Sequence, residues 1–305
     1  MSQQLDLAVI GGGPCGLTAA LYGARAGLHT AIFEGRYPGG QMASAYLIEN
    51  FPGFPEGVLG GELAEKLEKQ ATRFGAEVRY QPVEGLALEP ELAVLAGGER
   101  HPARAVIVAT GAEPRRLGVP GEVELTGRGV SYCATCDGAL FRDQRVVVVG
   151  GGNSAIQEAL FLSKLASTVL VVHRRDQLRA DLVLQERAFA NRGIGFAWNS
   201  VVERIEGEPA VSSVRLRDTK NGATRRQETD GVFIYIGTTP SSGFLPAQVA
   251  RDELGFVIID QCLATSVPGL FAAGDVRAGS LRQVVCAAAD GARAAVSAHR
   301  WLEGG

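Results

Sequence analysis

The chain has 305 residues, 46% of them hydrophobic, and 30 Lys and Arg residues against 33 Asp and Glu residues give a net charge of −3. This length and apolar content suit about two globular domains. The lack of a basic excess excludes broad electrostatic binding to nucleic acid or an anionic membrane. No apolar run reaches the roughly 20 residues of a membrane span.

The amino terminus and the cysteines indicate the compartment. The first residues carry neither a basic segment nor a long apolar run, so no signal peptide is expected. Five cysteines are too few for a disulfide scaffold, which favours a reducing, cytoplasmic setting. Cys15 is expected to pack as a small residue, and the isolated Cys262 and Cys286 are expected to be buried and inert.

The amino-terminal part predicts a βαβ unit that binds a dinucleotide. Its elements are a strand at Leu5 to Ile10, a helix at Leu17 to Gly27 and a strand at His29 to Phe33. In the first turn, Gly11 permits a tight bend, Gly13 lets the backbone approach a pyrophosphate, and Gly16 lets helix and strand pack closely. Glu34 follows the second strand, where an acid binds a ribose. An unliganded glycine-rich turn is the weaker interpretation.

Two elements follow this unit. The spacing of apolar residues predicts a helix over Gly60 to Phe74. Ala105 to Ala109 has the composition of a buried strand, which ends at Thr110-Gly111.

Cys133 and Cys136 form a CxxC pair that Asp137 follows directly. A zinc site would need two further ligands at suitable spacing, which the sequence does not offer. A structural disulfide is uncommon in a reducing cytoplasm. A redox dithiol, in which one thiolate attacks a substrate disulfide, is therefore favoured. Asp137 either moves a proton to or from a leaving thiolate or caps the turn, and both roles stay open.

A second βαβ unit begins at Arg145 and repeats the first. Its elements are a strand at Val146 to Val149, a helix at Asn153 to Leu165 and a strand at Thr168 to Val172. The turn from Gly150 carries Ala155 at the third glycine position, which is a permitted variant.

No acid occupies the ribose position at the end of the last strand of this second unit. The strand ends in His173-Arg174-Arg175-Asp176, with Arg179 further on. Guanidinium groups stay charged and bind phosphate oxygens bidentately, so the cluster favours a 2′-phosphate and hence NADPH over NADH. A solvated basic turn is the alternative, and His173 alone is more typical of a packed or capping histidine.

The remaining elements are predicted from shorter patterns. They are a helix at Asp181 to Asn191, strands near Val201–Ile205, Val214–Arg217 and Gly231–Ile236, a hairpin turn at Asn221-Gly222, a strand at Gly269 to Ala273, and a helix at Leu281 to Leu302.

Turn-rich segments flank the second βαβ unit and indicate an insertion. The predicted fold is α/β, with two Rossmann-like dinucleotide-binding domains of the three-layer ββα type. Residues 1–114 and 245–305 would form a discontinuous first domain, and residues 117–241 an inserted second domain carrying the CxxC pair. Hinges near 113–118 and 239–246 would let the second domain turn.

These features together resemble the low-molecular-weight, bacterial-type thioredoxin reductases, class II of the FAD- and NADPH-dependent pyridine nucleotide-disulfide oxidoreductases. The likeness covers nearly the whole chain, and its most specific mark is Cys133-Ala134-Thr135-Cys136-Asp137-Gly138. The other marks are Gly11 to Gly16, Gly39-Gly40-Gln41, Glu49-Asn50-Phe51-Pro52-Gly53, Ala109-Thr110-Gly111, Gly150 to Ala155, His173 to Asp176 with Arg179, and Gly274-Asp275-Val276 with Arg282-Gln283.

The resemblance implies FAD in the first domain and NADPH in the second. The positions matched to FAD are Gly11, Gly13, Pro14, Gly16, Glu34, Gly40, Gln41, Asn50, Ala109, Thr110, Gly111, Gly274, Asp275, Arg282 and Gln283. The positions matched to NADPH are Gly150, Gly152, Asn153, Ser154, Ala155, His173, Arg174, Arg175 and Arg179.

The resemblance also implies a relay that ends on thioredoxin. Hydride would pass from NADPH to FAD, and reduced flavin would open the disulfide at Cys136. Cys133 would then attack oxidised thioredoxin, with Asp137 as the general acid. Members of the family are homodimers that alternate between two domain orientations. This chain departs from many relatives at Gly279-Ser280-Leu281, where they carry an acid and an aromatic residue.

Three other functions are weaker alternatives. A disulfide reductase for another carrier would be expected to have a different dipeptide between the cysteines and an extra amino-terminal domain. A dithiol oxidase that uses oxygen does not explain the arginine cluster. A non-enzymatic nucleotide sensor is the alternative from a different class of protein, and bleaching of the flavin colour by NADPH would separate it from the enzymes.

Overall fold

The computed structural model describes residues 4–35, 39–45, 48 and 50–304. The chain divides into two compact units. Unit 1 consists of Met1–Glu113 and Thr239–Gly305, and unit 2 is the single stretch Pro114–Thr238. None of the helices in the described ranges is both long enough and apolar enough to cross a membrane.

The elements are numbered in chain order. The helices are α1 (Pro14–Arg25), α2 (Gly60–Arg73), α3 (Ala134–Asp137), α4 (Asn153–Leu162), α5 (Leu182–Ala190) and α6 (Val284–Leu302). Short 3-10 turns cover Gly40–Ser44, Gly138–Phe141 and Gly274–Val276. The strands are β1 (Leu5–Ile10), β2 (Thr30–Phe33), β3 (Glu77–Arg79), β4 (Val83–Ala87), β5 (Ala93–Ala96), β6 (Glu99–Val108), β7 (Ala112–Pro114), β8 (Val130–Ser131), β9 (Arg145–Val149), β10 (Thr168–Val172), β11 (Ile194–Ala197), β12 (Ser200–Glu206), β13 (Ser213–Asp218), β14 (Thr224–Glu228), β15 (Gly231–Ile234), β16 (Thr238–Pro240) and β17 (Leu270–Ala272).

The sheet of unit 1 is parallel at its centre, in the order β3-β2-β1-β6-β17. The long strand β6 also pairs through its first half with antiparallel β5, which pairs with β4. In the parallel part, Ile10 lies opposite both Phe33 and Val108, and Ala272 lies opposite Val108. The turns that follow these strands therefore emerge at one edge of the sheet.

The core of unit 1 lies on both faces of its sheet. On one face, Leu7, Val9 and Ile107 pack with residues of α1 and α6. These two helices approach closely, because a Cβ on Gly291 would lie 2.1 Å from the carbonyl oxygen of Cys15. The other face packs with residues of β4, β5 and the segment around 244–257.

Unit 2 repeats this arrangement. Its parallel sheet runs β11-β10-β9-β15-β8, and β12, β13 and β14 form a separate antiparallel sheet. Val148 and Phe233 pack with α4 on one face, while Val147 and Val232 pack with Val214 of the antiparallel sheet on the other. Helices on one side and antiparallel strands on the other confirm the predicted α/β class with two Rossmann-like domains. The hinge segments 113–118 and 239–246 stay a prediction.

Element limits differ from the predictions where turns intervene. The predicted helix start at Leu281 is wrong: α6 begins at Val284, because Arg282 has a positive φ of 59° and Gln283 is the N-cap. The hairpin at Asn221-Gly222 is confirmed, with Gly222 at φ 76° between β13 and β14.

The free cysteines only partly match the prediction. Cys15 is buried, as expected, and burial raises the pKa of its thiol well above the usual range. The prediction that Cys262 and Cys286 are buried is wrong, because Cys262 is exposed and Cys286 is half-buried. Cys262 lies in a surface turn in which Asp260 accepts its backbone N–H.

Candidate active site

The first glycine turn lies at the carboxyl end of β1, next to Glu34. Gly11 has a φ of 108°, and a Cβ there would come within 2.5 Å of the carbonyl oxygen of Ala109. A Cβ on Gly16 would come within 1.7 Å of the Gly11 carbonyl oxygen. The N–H of Gly12 donates to Oε2 of Glu34 at 2.6 Å. The turn therefore requires glycine, and the predicted ribose-binding acid lies beside it.

Gly13 provides the open space that a pyrophosphate needs. Nothing lies within 4 Å of a Cβ built on Gly13, which is the N-cap of α1. No side chain caps this helix, and Pro14 occupies its first turn, so backbone N–H groups remain available as donors. Gly40 packs on the turn, with its Cβ position 3.2 Å from the Cα of Gly13. These residues fit the diphosphate of FAD.

Three predicted flavin-side residues form hydrogen bonds within unit 1. The side-chain amide of Asn50 donates to Oε1 of Gln283 at 3.0 Å. The side-chain amide of Gln41 donates to the carbonyl of Ala112. Glu49, the first residue of the matched Asn50 motif, lies outside the described residues.

The segment Ala109 to Gly111, which follows β6, lies beside the first glycine turn. Ala109 is buried, and its N–H donates to the carbonyl of Ile10 at 2.8 Å. The hydroxyl of Thr110 donates to the carbonyl of Ser241 at 2.7 Å, and the Ser241 N–H donates to the carbonyl of Gly111 at 3.0 Å. The predicted Ala109 to Gly111 segment is thus tied to the second chain segment of unit 1.

Asp275 lies in the 3-10 turn after β17. The hydroxyl of Ser280 donates to its Oδ1 at 2.7 Å, while burial raises the pKa of the Asp275 carboxyl. Asp290 of α6 is 5% exposed and accepts from the Gly274 N–H at 3.2 Å and from Arg277 at 2.6 Å. Asp290, which the sequence analysis missed, therefore fixes the turn that presents Asp275.

The segment Gly279-Ser280-Leu281, which departs from many relatives, contributes a hydrogen bond to Asp275. Ser280 bonds to Asp275, whereas Leu281 is exposed. Arg282 is exposed as well, with its guanidinium 5.4 Å from the ring centre of Phe256. The guanidinium of Arg282 thus makes a cation–π contact with Phe256 within unit 1.

The second glycine turn repeats this construction in unit 2. A Cβ on Gly150 would lie 2.4 Å from the carbonyl oxygen of Tyr235, and one on Gly151 would lie 2.4 Å from the His173 ring. Gly152 has open space and is the N-cap of α4, which no side chain caps. Ala155 is buried beneath the turn.

The first turn of α4 presents two of the predicted residues. Asn153 and Ser154 are exposed, and Asn153 forms two hydrogen bonds with Asp181, at 2.9 and 2.8 Å. These contacts join the start of α4 to the loop that follows the arginine cluster.

His173 is a buried residue with an unpaired nitrogen beside this turn. It is 5% exposed, and its Nε2 has no hydrogen-bond partner within the described ranges. Burial lowers the pKa of the imidazole, so the ring is neutral at neutral pH. A buried nitrogen without a partner fits a site that a nucleotide completes.

The three arginines surround the same turn. Arg174, Arg175 and Arg179 are exposed, and none has an acidic partner among the residues that the structure describes. The backbone is nevertheless fixed, because the Arg179 N–H donates to the carbonyl of Gly151 at 2.7 Å. Free guanidinium groups on a fixed loop fit a 2′-phosphate.

Cys133 and Cys136 are joined by a disulfide in unit 2. Cys133 is the N-cap of α3, and its sulfur accepts the N–H of Cys136 at 3.2 Å. A hydrogen bond of this kind favours a thiolate on Cys133 after reduction. Both cysteines are half-buried.

Asp137 is held beside the disulfide by a serine that the sequence analysis missed. The hydroxyl of Ser131 donates to Oδ2 of Asp137 at 2.6 Å. Burial raises the pKa of Asp137, and the bond from Ser131 opposes that rise. A carboxyl whose pKa is raised toward neutrality is suited to proton transfer.

Tyr235 is a second residue that the sequence analysis missed. Its hydroxyl oxygen accepts the N–H of Ala134 at 2.5 Å. Burial and the carboxylates of Glu158 and Asp137 raise the pKa of Tyr235, so its hydroxyl is neutral. Tyr235 also contacts the second glycine turn at Gly150. It therefore joins that turn to the dithiol turn, which consists of residues 133–137.

The chain is similar to one family of oxidoreductases along most of its length. A family model described as "Pyridine nucleotide-disulphide oxidoreductase" matches residues 5–291. The thioredoxin reductase of Mycolicibacterium smegmatis is 48% identical over 299 residues, which cover 97% of this chain and 96% of that protein. The thioredoxin reductase of Bacillus subtilis strain 168 is 48% identical over 300 residues, which cover 98% and 95%.

A solved structure shares the whole fold. The thioredoxin reductase from Streptococcus pyogenes MGAS5005 superposes with a TM-score of 0.94 at 46% sequence identity, and the match covers 100% of both chains.

Proposed function

We propose that this chain, which belongs to the pyridine nucleotide-disulphide oxidoreductase family, is an FAD-dependent thioredoxin reductase that takes its electrons from NADPH. The observation that carries the proposal is the Cys133–Cys136 disulfide with Asp137 beside it. This disulfide lies in unit 2, which also contains the second glycine turn. The similarity to thioredoxin reductases along the whole chain supports the choice of carrier. The proposal includes a cytoplasmic homodimer whose inserted domain turns at the two hinge segments.

The cofactors, when bound, supply the two electrons that pass from NADPH through FAD to the disulfide. Gly13 and the start of α1 would bind the diphosphate of FAD, and Glu34 its ribose. Gly152 and the start of α4 would bind the diphosphate of NADPH, while Arg174, Arg175 and Arg179 would bind its 2′-phosphate.

The dithiol then performs thiol–disulfide exchange. Two electrons and one proton break the S–S bond and leave a Cys133 thiolate and a Cys136 thiol. The thiolate attacks one sulfur of oxidised thioredoxin, and the other substrate sulfur leaves with a proton from Asp137. The Cys136 thiol returns a proton to Asp137 and attacks Cys133, which releases the second substrate sulfur as a thiolate.

An anaerobic titration tests this function. NADPH should bleach the yellow colour of the flavoprotein, and oxidised thioredoxin should restore it. The Cys133→Ser variant should keep the bleaching and lose thioredoxin reduction, whereas the control Cys262→Ser, at an exposed cysteine, should keep both. Absence of bleaching would favour a nucleotide sensor or another electron donor, and thioredoxin reduction by Cys133→Ser would disprove the relay.

A further inference from the structure

Ser131 lies between the dithiol turn and Asp137 and has two possible acceptors for one proton. Its hydroxyl oxygen is 2.6 Å from Oδ2 of Asp137 and 3.3 Å from the carbonyl oxygen of Cys133. The same oxygen accepts the Cys133 N–H at 3.0 Å. Ser131 is 5% exposed and lies in β8, where Phe233 of β15 pairs with it. Its position is therefore fixed by the sheet.

A hydroxyl can donate to only one of these acceptors at a time. When Asp137 is ionised, the short bond to a charged oxygen is the stronger one. When Asp137 holds a proton, it can donate that proton to the Ser131 oxygen, and the Ser131 proton can turn to the carbonyl of Cys133. Both protonation states of Asp137 are then hydrogen-bonded.

We propose that Ser131 is a positioning residue that changes its acceptor between Asp137 and Cys133 as Asp137 loses and gains its proton. This role rests on the proposed function, in which Asp137 exchanges a proton during each thiol–disulfide step. Without Ser131, the ionised carboxylate would lose the only side-chain hydrogen bond that it receives among the described residues.

Two other titratable residues of the described part of the chain bear on this turn. Tyr235, after β15, accepts the Ala134 N–H, and the carboxylate of Glu158 in α4 acts on Tyr235. Tyr235 stays neutral, and burial raises the pKa of Glu158. Burial raises the pKa of Asp137 and the Ser131 bond lowers it, so removal of the hydroxyl must move the titration of Asp137 upward.

The pH profile of thioredoxin reduction by the FAD-loaded full chain tests the proposal. Because Asp137 donates a proton, the rate should fall as the pH rises through its pKa. Ser131→Ala should move this fall upward by about one pH unit, the effect of losing one hydrogen bond to a charged group. Ser131→Thr, which keeps the hydroxyl, should restore the original position.

Tyr235→Phe serves as the matched structural control. It removes the acceptor of the Ala134 N–H and loosens the same turn, but leaves the bond to Asp137 in place. Its profile should keep the position of the wild-type fall. An unmoved profile in Ser131→Ala, or an equal shift in Tyr235→Phe, would overturn the proposal.

A second measurement does not require thioredoxin. The rate of iodoacetamide alkylation of Cys133 in the dithiothreitol-reduced protein, measured by peptide mass spectrometry against pH, should show an inflection that disappears in Asp137→Asn and moves upward in Ser131→Ala. If the wild type fails to reduce thioredoxin but this inflection moves, the proposed function is wrong and the role of Ser131 stands. If the inflection does not move, the role of Ser131 is wrong whatever the substrate.

Discussion

At the scale of single residues, the loop that carries Arg174, Arg175 and Arg179 combines a fixed backbone with side chains that have no acidic partner among the described residues. The carbonyl of Arg174 accepts from the Thr219 hydroxyl at 3.4 Å, and the carbonyl of Arg175 accepts from the Asn199 N–H at 3.2 Å. The guanidinium groups themselves have no acidic partner within the described ranges. A preorganised loop of this kind binds a phosphate without ordering its own backbone first.

Replacement of Arg174 and Arg175 with Ala should therefore act on one cofactor only. The KM for NADPH should rise about tenfold or more, because each lost bond joins two charged groups. The KM for NADH, which lacks the 2′-phosphate, should barely change. Steady-state kinetics with both cofactors measures this. Arg192→Ala is the control, because Arg192 is exposed and lies at the amino end of β11, whereas the arginine cluster follows the carboxyl end of the parallel strand β10. Equal weakening of both cofactors would contradict the assignment.

At the scale of elements, the single-turn helix α3 depends on a strand far away in the sequence. Tyr235 follows β15 and is 101 residues from Ala134, whose N–H it accepts. Ala134 is 1% exposed, so water does not replace a lost acceptor. An unsatisfied buried N–H costs about 1–3 kcal/mol.

Tyr235→Phe should consequently speed amide hydrogen exchange in residues 133–137. A cost in that range corresponds to an increase of roughly five- to a hundredfold. The control Tyr80→Phe removes a hydroxyl that is bonded to Glu68 on an exposed tyrosine of unit 1, and should leave this segment unchanged. Unchanged exchange in Tyr235→Phe would show that other contacts hold α3.

The same elements show what the sequence can and cannot predict. The strand β10 was predicted with its observed limits, because apolar residues are bounded by polar ones on both sides. The strands β4 and β5 were missed, because they are short and their burial does not alternate regularly. In the site, the glycine turns follow from local spacing, whereas Ser131 and Tyr235 belong to no motif and reach the dithiol only through sheet pairing and folding.

At the scale of the whole molecule, each unit has its own hydrophobic core. Two clusters, one on each face of the parallel sheet, consist entirely of residues within Pro114–Thr238. The clusters of unit 1 draw on both of its chain segments, as when Ile107 and Phe271 pack together. Unit 2 is thus continuous and self-contained, while unit 1 needs both of its segments.

A fragment of residues 114–238 should therefore fold by itself. It should unfold cooperatively on heating, since its buried clusters are complete, and it should bind NADPH but no FAD. Thermal unfolding by circular dichroism and calorimetric titration with NADPH and NADH measure these properties. The complementary fragment, residues 1–113 joined by a short Gly/Ser linker to 239–305, should bind FAD, whereas residues 1–113 alone should not, because β17 and α6 would be missing from the core. A fragment 114–238 that lacks a cooperative transition would show that the insertion depends on unit 1 for its stability, which would contradict a domain able to turn on two hinges.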